Sequence, residues 1–184
     1  ELATVAPLHG QSATSHGITV NEPLMVKHRT VGDGELAFEG TAVDGRPADC
    51  SKLALTNLWP DQFGENTRPD LVISGINMGA NCGINVIYSG TVAAAIEAAF
   101  LGVPSIALSL HLGRGTADYA AAAVRARAAV EHVLATGPME PHTCININIP
   151  RTELENDERH EIPPMVVAPM NIHGLVDKYE RRQT

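Results

Sequence analysis

Residues 69–109, PDLVISGINMGANCGINVIYSGTVAAAIEAAFLGVPSIALS, decide the fold class. The stretch opens on an apolar run, residues 70–74, bounded by proline and glycine, which is the composition of a strand covered on both faces. Gly75, Gly79 and Gly83 then recur every fourth position, with Asn77, Asn81 and Asn85 between them. Glycine frees the backbone to turn and the amide side chains can converge, so residues 75–89 predict a loop rather than more strand. Ser89, Gly90 and Thr91 lead into VAAAIEAAFL, an alanine-rich run that predicts a helix stopping at Gly102, with Pro104 just beyond. A second apolar run, residues 105–109, predicts the next strand. The first turn of such a helix carries unpaired N–H groups and the positive end of its dipole, so Ser89, Gly90 and Thr91 form a candidate anion seat.

The rest of the chain extends this strand, loop and helix pattern. Residues 2–6 predict a strand, and the turn-rich residues 9–17 place Ser12 near its carboxyl end, where ligands sit in open α/β sheets. Residues 18–20, 24–29, 36–39 and 41–43 are short β candidates. Pro47 suits the first position of a helix, with Asp49 in its first turn and an apolar stripe to about Leu58. Apolar residues recur at helical spacing over residues 116–136, before Gly137-Pro138 stops the run. Residues 144–149 alternate apolar residues with asparagine, which predicts a strand with Asn146 and Asn148 on its less apolar face. Residues 151–161 have the charge and turn content of a solvated loop, and residues 166–168 are one more short β candidate. The expected organisation is one α/β core over residues 1–150, followed by an extension or assembly arm over residues 151–184.

Composition narrows the function. A chain of 184 residues with 44% apolar content suits one domain with a sizeable core. The net charge of −8 gives no broad basic face, so a nucleic-acid polymer is not an expected partner, whereas a small phosphorylated ligand is compatible through local N–H groups. Three cysteines without a CxxC pair favour a reducing compartment, the cytoplasm, and Cys82 in the glycine loop reads as a small filler. Glu97 and Pro104 interrupt the longest apolar stretch, so no membrane contact is expected. The opening residue is Glu1 and no basic-then-apolar leader follows, so the chain reads as an internal part of a longer protein. Rival chemistries are less well supported. His16 follows Ser12 by four residues and His111 follows residues 105–109, but no G-x-S-x-G elbow occurs and no aspartate is obviously placed to orient a histidine base. His9 and His16 lack a third metal ligand in their loop, and G-x-G-x-x-G does not follow a first strand.

Three segments, in order, carry a resemblance to a known family. They are VAP-x(4)-SATSHGIT over residues 5–19, G-x-PADC-x-KLAL over residues 45–55, and SGIN-x-G-x-N-x-G-x(4)-YSGTV-x-AA-x-E with the GVPSIALS that follows, over residues 74–109. ININIP over residues 145–150 is a weaker match. The chain resembles the SurE family of metal-dependent nucleoside-monophosphate phosphatases. The resemblance implies a Rossmann-like three-layer sandwich with a parallel-rich sheet, a divalent cation (Mg²⁺ or Mn²⁺) and hydrolysis of nucleoside 5′- or 3′-monophosphates. Carried over by position, it makes Ser12 and Asn77 metal ligands, and has Asn81, Ser89, Gly90 and Thr91 line the phosphate.

Within the resemblance, the acidic metal ligands are an adjacent aspartate pair that ends a strand preceding the segment at which this chain opens, so no catalytic group is assigned here. Ser12 and Asn77 offer hard but neutral oxygens, which hold a divalent ion feebly without carboxylates. Arg46, Asn85 and Gly17 depart from the usual threonine, aspartate and small polar residue of the pattern. The alternative reading is a phosphate- or nucleotide-binding protein that does no chemistry. The resemblance further implies a homodimer or larger homo-oligomer, with the short apolar run 165–170 needing a surface to cover.

Overall fold

The computed structural model describes residues 1–153 and 161–171. Its strands are β1 (Val5–Pro7), β2 (Val26–Val31), β3 (Phe38–Val43), β4 (Val72–Met78), β5 (Ser105–Leu110) and β6 (Cys144–Ile149). Its helices are α1 (Pro47–Leu53), α2 (Trp59–Phe63), α3 (Asn85–Tyr88), α4 (Gly90–Phe100) and α5 (Tyr119–Ala135). The strands form two three-stranded sheets, in the orders β1-β3-β2 and β4-β5-β6. Among the described residues only β2 with β3 is antiparallel, which leaves the architecture α/β with mostly parallel pairing.

The core is organised by β5, every residue of which is buried. Side chains alternate across a strand, and β5 uses both faces. Ile106, Leu108 and Leu110 pack with Ala122, Ala126 and Val130 of α5, whereas Ala107 packs with Val92 and Ala95 of α4. Helix, sheet and helix are the three layers expected of a Rossmann-like sandwich. Alanine on the inner face of α4 lets that helix lie close to the sheet, and Ser105 satisfies its buried hydroxyl by donating to the Ala95 carbonyl (2.6 Å).

Several sequence expectations are corrected. Residues 70–74 do not form a strand buried on both faces: β4 is an edge of its sheet, and Ile73 is exposed. Strand also continues through Gly75 to Met78, because a bulge accommodates the glycine within the ladder to β5. The β candidates 36–39 and 41–43 join into β3, while residues 18–20 and 166–168 form no strand. The helix from Pro47 changes to π-type hydrogen bonding over Ala54–Leu58 before α2.

Of residues 151–161, 154–160 lie outside the described residues; residues 151–153 dock on the core instead of standing wholly in solvent. Thr152 is buried and its hydroxyl accepts from the Asp118 N–H (2.9 Å), while Glu153 accepts from the Gly113 N–H (2.9 Å). That second bond is the leading reason the Glu153 carboxyl titrates below its ordinary value. The buried guanidinium of Arg125 donates to the carbonyls of Pro150, Arg151 and Glu161 (3.2, 3.0 and 2.9 Å).

The thiols separate by environment. Burial, and then the nearby Asp49 carboxylate, push the Cys50 thiol up to about 12, and burial also raises Cys144. Cys82 is exposed, so it is not a filler of the glycine loop. At pH 8 a thiol reagent is expected to modify Cys82 rapidly and the other two only after denaturation; rapid native labelling of Cys50 would contradict the structure. The linked stability effect has a definite sign. Below pH 9, the ordinary value for a cysteine, Cys50 is protonated whether folded or unfolded. Between pH 9 and about 12 only the unfolded chain releases its proton, so folding stability falls as pH rises, by about 1.4 kcal/mol per pH unit from this group.

Candidate active site

Three pieces of chain meet at the carboxyl end of β4: the end of that strand, the first turn of α4, and residues 8–17 after β1. The β4 bulge sets the first piece. Ser74 pairs with Ala107 and Asn77 pairs with Ser109, so Gly75 and Ile76 together oppose Leu108. Only glycine fits there: Gly75 has φ +124°, and a Cβ would run into the Leu108 carbonyl oxygen. Beyond the bulge, the Asn77 Oδ1 accepts from the Thr91 hydroxyl (3.2 Å), while its Nδ2 donates to the Gly79 carbonyl (2.7 Å). Asn77 and Thr91 are thus brought together with the side-chain carbonyl turned to the helix.

The candidate anion seat lies at the N-terminus of α4. Ser89 is the N-cap, its hydroxyl accepting from the Val92 N–H (3.2 Å). This leaves the N–H groups of Gly90 and Thr91 without an acceptor among the described residues, at the positive end of the helix. Gly90 is required by close approach, since a Cβ would stand 2.7 Å from Pro47 Cγ and 2.9 Å from the Thr14 hydroxyl. That hydroxyl is buried and has no hydrogen-bond partner among the described residues. Thr14 was not singled out in the sequence; its neighbour by two positions, Ser12, was. Ser12 itself is exposed in the same loop.

Asn81, expected to line the phosphate, is bonded to β5 and β6. It is 6% exposed, and its Nδ2 donates to the Ser109 hydroxyl (2.7 Å). Its N–H donates to Asn148 Oδ1 (2.8 Å), and its carbonyl accepts from Asn146 (2.8 Å) and Asn148 (3.1 Å). The asparagines of β6 therefore hold the glycine loop against the sheet. The alternation that marked them as polar could locate their face but not their partner.

The departures at Arg46 and Gly17 are one feature. A Cβ on Gly17 would overlap the Arg46 guanidinium, so the glycine leaves the room in which that exposed side chain lies. Asn85 is exposed at the start of α3. Asp49 closes the other side of the loop: it is buried and accepts from the Thr19 N–H and hydroxyl (2.8 Å each) and from the Arg46 N–H (2.8 Å). His16, considered as a base for a serine, does have an orienting carboxylate, Glu97, with 2.7 Å between Nε2 and Oε2. No local signal could have shown a partner 81 residues away.

Among the described residues no three His, Cys, Asp or Glu converge on a metal position. Ser12 and Asn77 supply donors of the hardness that Mg²⁺ or Mn²⁺ prefers but no charge, so on their own they do not make a cation site. None of the described helices is long and apolar enough to cross a membrane.

Comparison with known proteins agrees with the fold. The family described as "Survival protein SurE" matches residues 1–171. The 5'-nucleotidase SurE of Syntrophus aciditrophicus is 44% identical over 179 residues, covering 97% of this chain and 61% of that protein. The 5'-nucleotidase SurE of Heliobacterium modesticaldum is 45% identical over 150 residues, covering 82% and 52%. The crystal structure of the SurE protein from Aquifex aeolicus is similar with a TM-score of 0.62 at 38% identity, over 79% of this chain and 54% of that one. The chain spans less than two thirds of the length of these relatives. With a family match that spans all of its described residues and relatives at 44–45% identity, the chain belongs to the SurE family.

Proposed function

We propose that the protein containing this chain is a nucleotidase that hydrolyses nucleoside 5′- or 3′-monophosphates with Mg²⁺ or Mn²⁺. The observation that carries this reading is the meeting of Asn77, Thr91 and the unpaired first-turn N–H groups of α4. The curated relatives' name, 5'-nucleotidase, supports the substrate class. In this reading Gly90 and Thr91 N–H groups hold the phosphate oxygens as negative charge builds on the transferring group. Ser89 fixes the turn that aims them, and Asn81 lines the seat by shaping the loop beside it. Ser12 and Asn77 hold the neutral side of the cation's shell, and carboxylates outside this chain supply its charge. When bound, the cation polarises a phosphate oxygen and lowers the pKa of an attacking water.

Residues 151–184 are read as an extension of the core, and the exposed side chains Ile162, Met165, Val166, Val167 and Met170 support its use in a cytoplasmic homodimer. The alternative, a nucleotide-binding protein without chemistry, is favoured by one observation: no carboxylate cluster reaches the site among the described residues.

The test is hydrolysis of nucleoside 5′- and 3′-monophosphates by the full-length protein. Activity is expected to disappear with a chelator and return with Mg²⁺ or Mn²⁺. Hydrolysis indifferent to chelation overturns the metal assignment. Tight nucleotide binding without turnover at any metal concentration establishes the binding protein instead.

A further inference from the structure

Residues 9–17, which carry Ser12 and bring Thr14 to Gly90, hold a shape that their own residue types disfavour. Ala13 and Ser15 have φ of +52° and +51°, in the left-handed region where a Cβ is crowded. Contacts from outside the loop must therefore maintain it. One is the Ser15 N–H, which donates to the Tyr88 carbonyl (3.1 Å) just before α4. The other is His16. A carboxylate accepts, so Nε2 of His16 donates to Oε2 of Glu97 at 2.7 Å, and the imidazole stacks on Phe100 with ring centroids 5.8 Å apart.

Glu97 is 7% exposed, and its other oxygen lies 3.5 Å from Lys52 Nζ on α1. A carboxylate this deep is sustained by such partners, and the arrangement ties the loop, α1 and α4 together at one point. Glu97 stands about two turns of α4 beyond Gly90, roughly 10 Å along the axis. A phosphate at the first turn is out of reach of the His16–Glu97 contact, so this pair holds the loop and exchanges no proton with the substrate.

We propose that His16 and Glu97 are positioning residues for the hydrolytic site. Their bond keeps the left-handed turns at Ala13 and Ser15 in place, and with them Thr14 against Gly90 and Ser12 in the loop beyond β1. The role in turnover rests on the nucleotidase reading above; the anchoring of the loop does not.

In the full-length protein, His16→Phe keeps a ring over Phe100 and removes the donor, whereas His16→Gln keeps a donor and removes the ring. His16→Phe is expected to lower kcat/KM for a nucleoside monophosphate about tenfold or more, mainly through kcat, since misplacement near 1 Å costs this much or more. His16→Gln is expected to recover to within about threefold of the parent, because a donor to Glu97 is restored. Amide hydrogen exchange over residues 13–16 is expected to quicken about tenfold in His16→Phe and much less in His16→Gln. A His16→Phe protein with parental kcat/KM, or a His16→Gln protein as impaired as His16→Phe, overturns the proposal. If the parent protein hydrolyses no phosphate ester, the nucleotidase reading fails separately and exchange alone decides: unchanged protection of residues 13–16 in His16→Phe overturns the anchor.

Discussion

Gly75→Ala is expected to lower folding stability by about 3 kcal/mol or more, a large effect for a single methyl group. The added carbon would meet the Leu108 carbonyl oxygen and lie 3.2 Å from the Asn77 backbone nitrogen, at a backbone φ of +124°. Both obstacles are main chain, so no rotamer change relieves them, and β5 cannot retreat within the sheet because β6 is paired along its other edge. Thermal unfolding should show the midpoint falling by about 6–12 °C for a chain of this size. The same strain would move Asn77, so activity of any folded fraction should drop as well. A midpoint within about 2 °C of the parent, well below that expectation, would mean the β4 bulge is not built as described.

Asn77→Ala is the complementary case, with a large effect on chemistry and a small one on folding. The side chain makes two hydrogen bonds, to Gly79 and from Thr91, both local to the site, so the stability loss should stay near 1 kcal/mol per bond or below. Loss of the proposed cation donor should reduce metal affinity or turnover by about 10–100-fold. The Thr91 hydroxyl also loses its acceptor, which loosens the first turn of α4 where phosphate charge is held. Activity followed across a Mg²⁺ or Mn²⁺ titration checks this, and unchanged turnover throughout would remove Asn77 from the site.

What could be seen in the sequence was local. The β6 bounds at Cys144 and Ile149 follow directly from period-two alternation, and α4 from its alanines and glycine stop. The start of α4 was visible because capping serine, glycine and helix start are consecutive. Gly75, expected in a turn, sits in a bulge, since the same freedom of φ serves both and only pairing to β5 distinguishes them. The buried partners were hidden for another reason. Glu97 interrupts an apolar run and Arg125 sits in a helix with an ordinary polar face, so composition assigns both to solvent. Their burial depends on His16 and on the carbonyls of residues 150, 151 and 161, contacts made across sequence distance. The division into two sheets also lay beyond reach, because strand patterns do not state which edges meet.

The Arg125 clasp has an evolutionary consequence. By holding the carbonyls of Arg151 and Glu161 on one guanidinium, it fixes the distance between two points of the chain whatever number of residues joins them. Substitution at position 125 would release three carbonyls at once, which makes it a costly place for this lineage to vary.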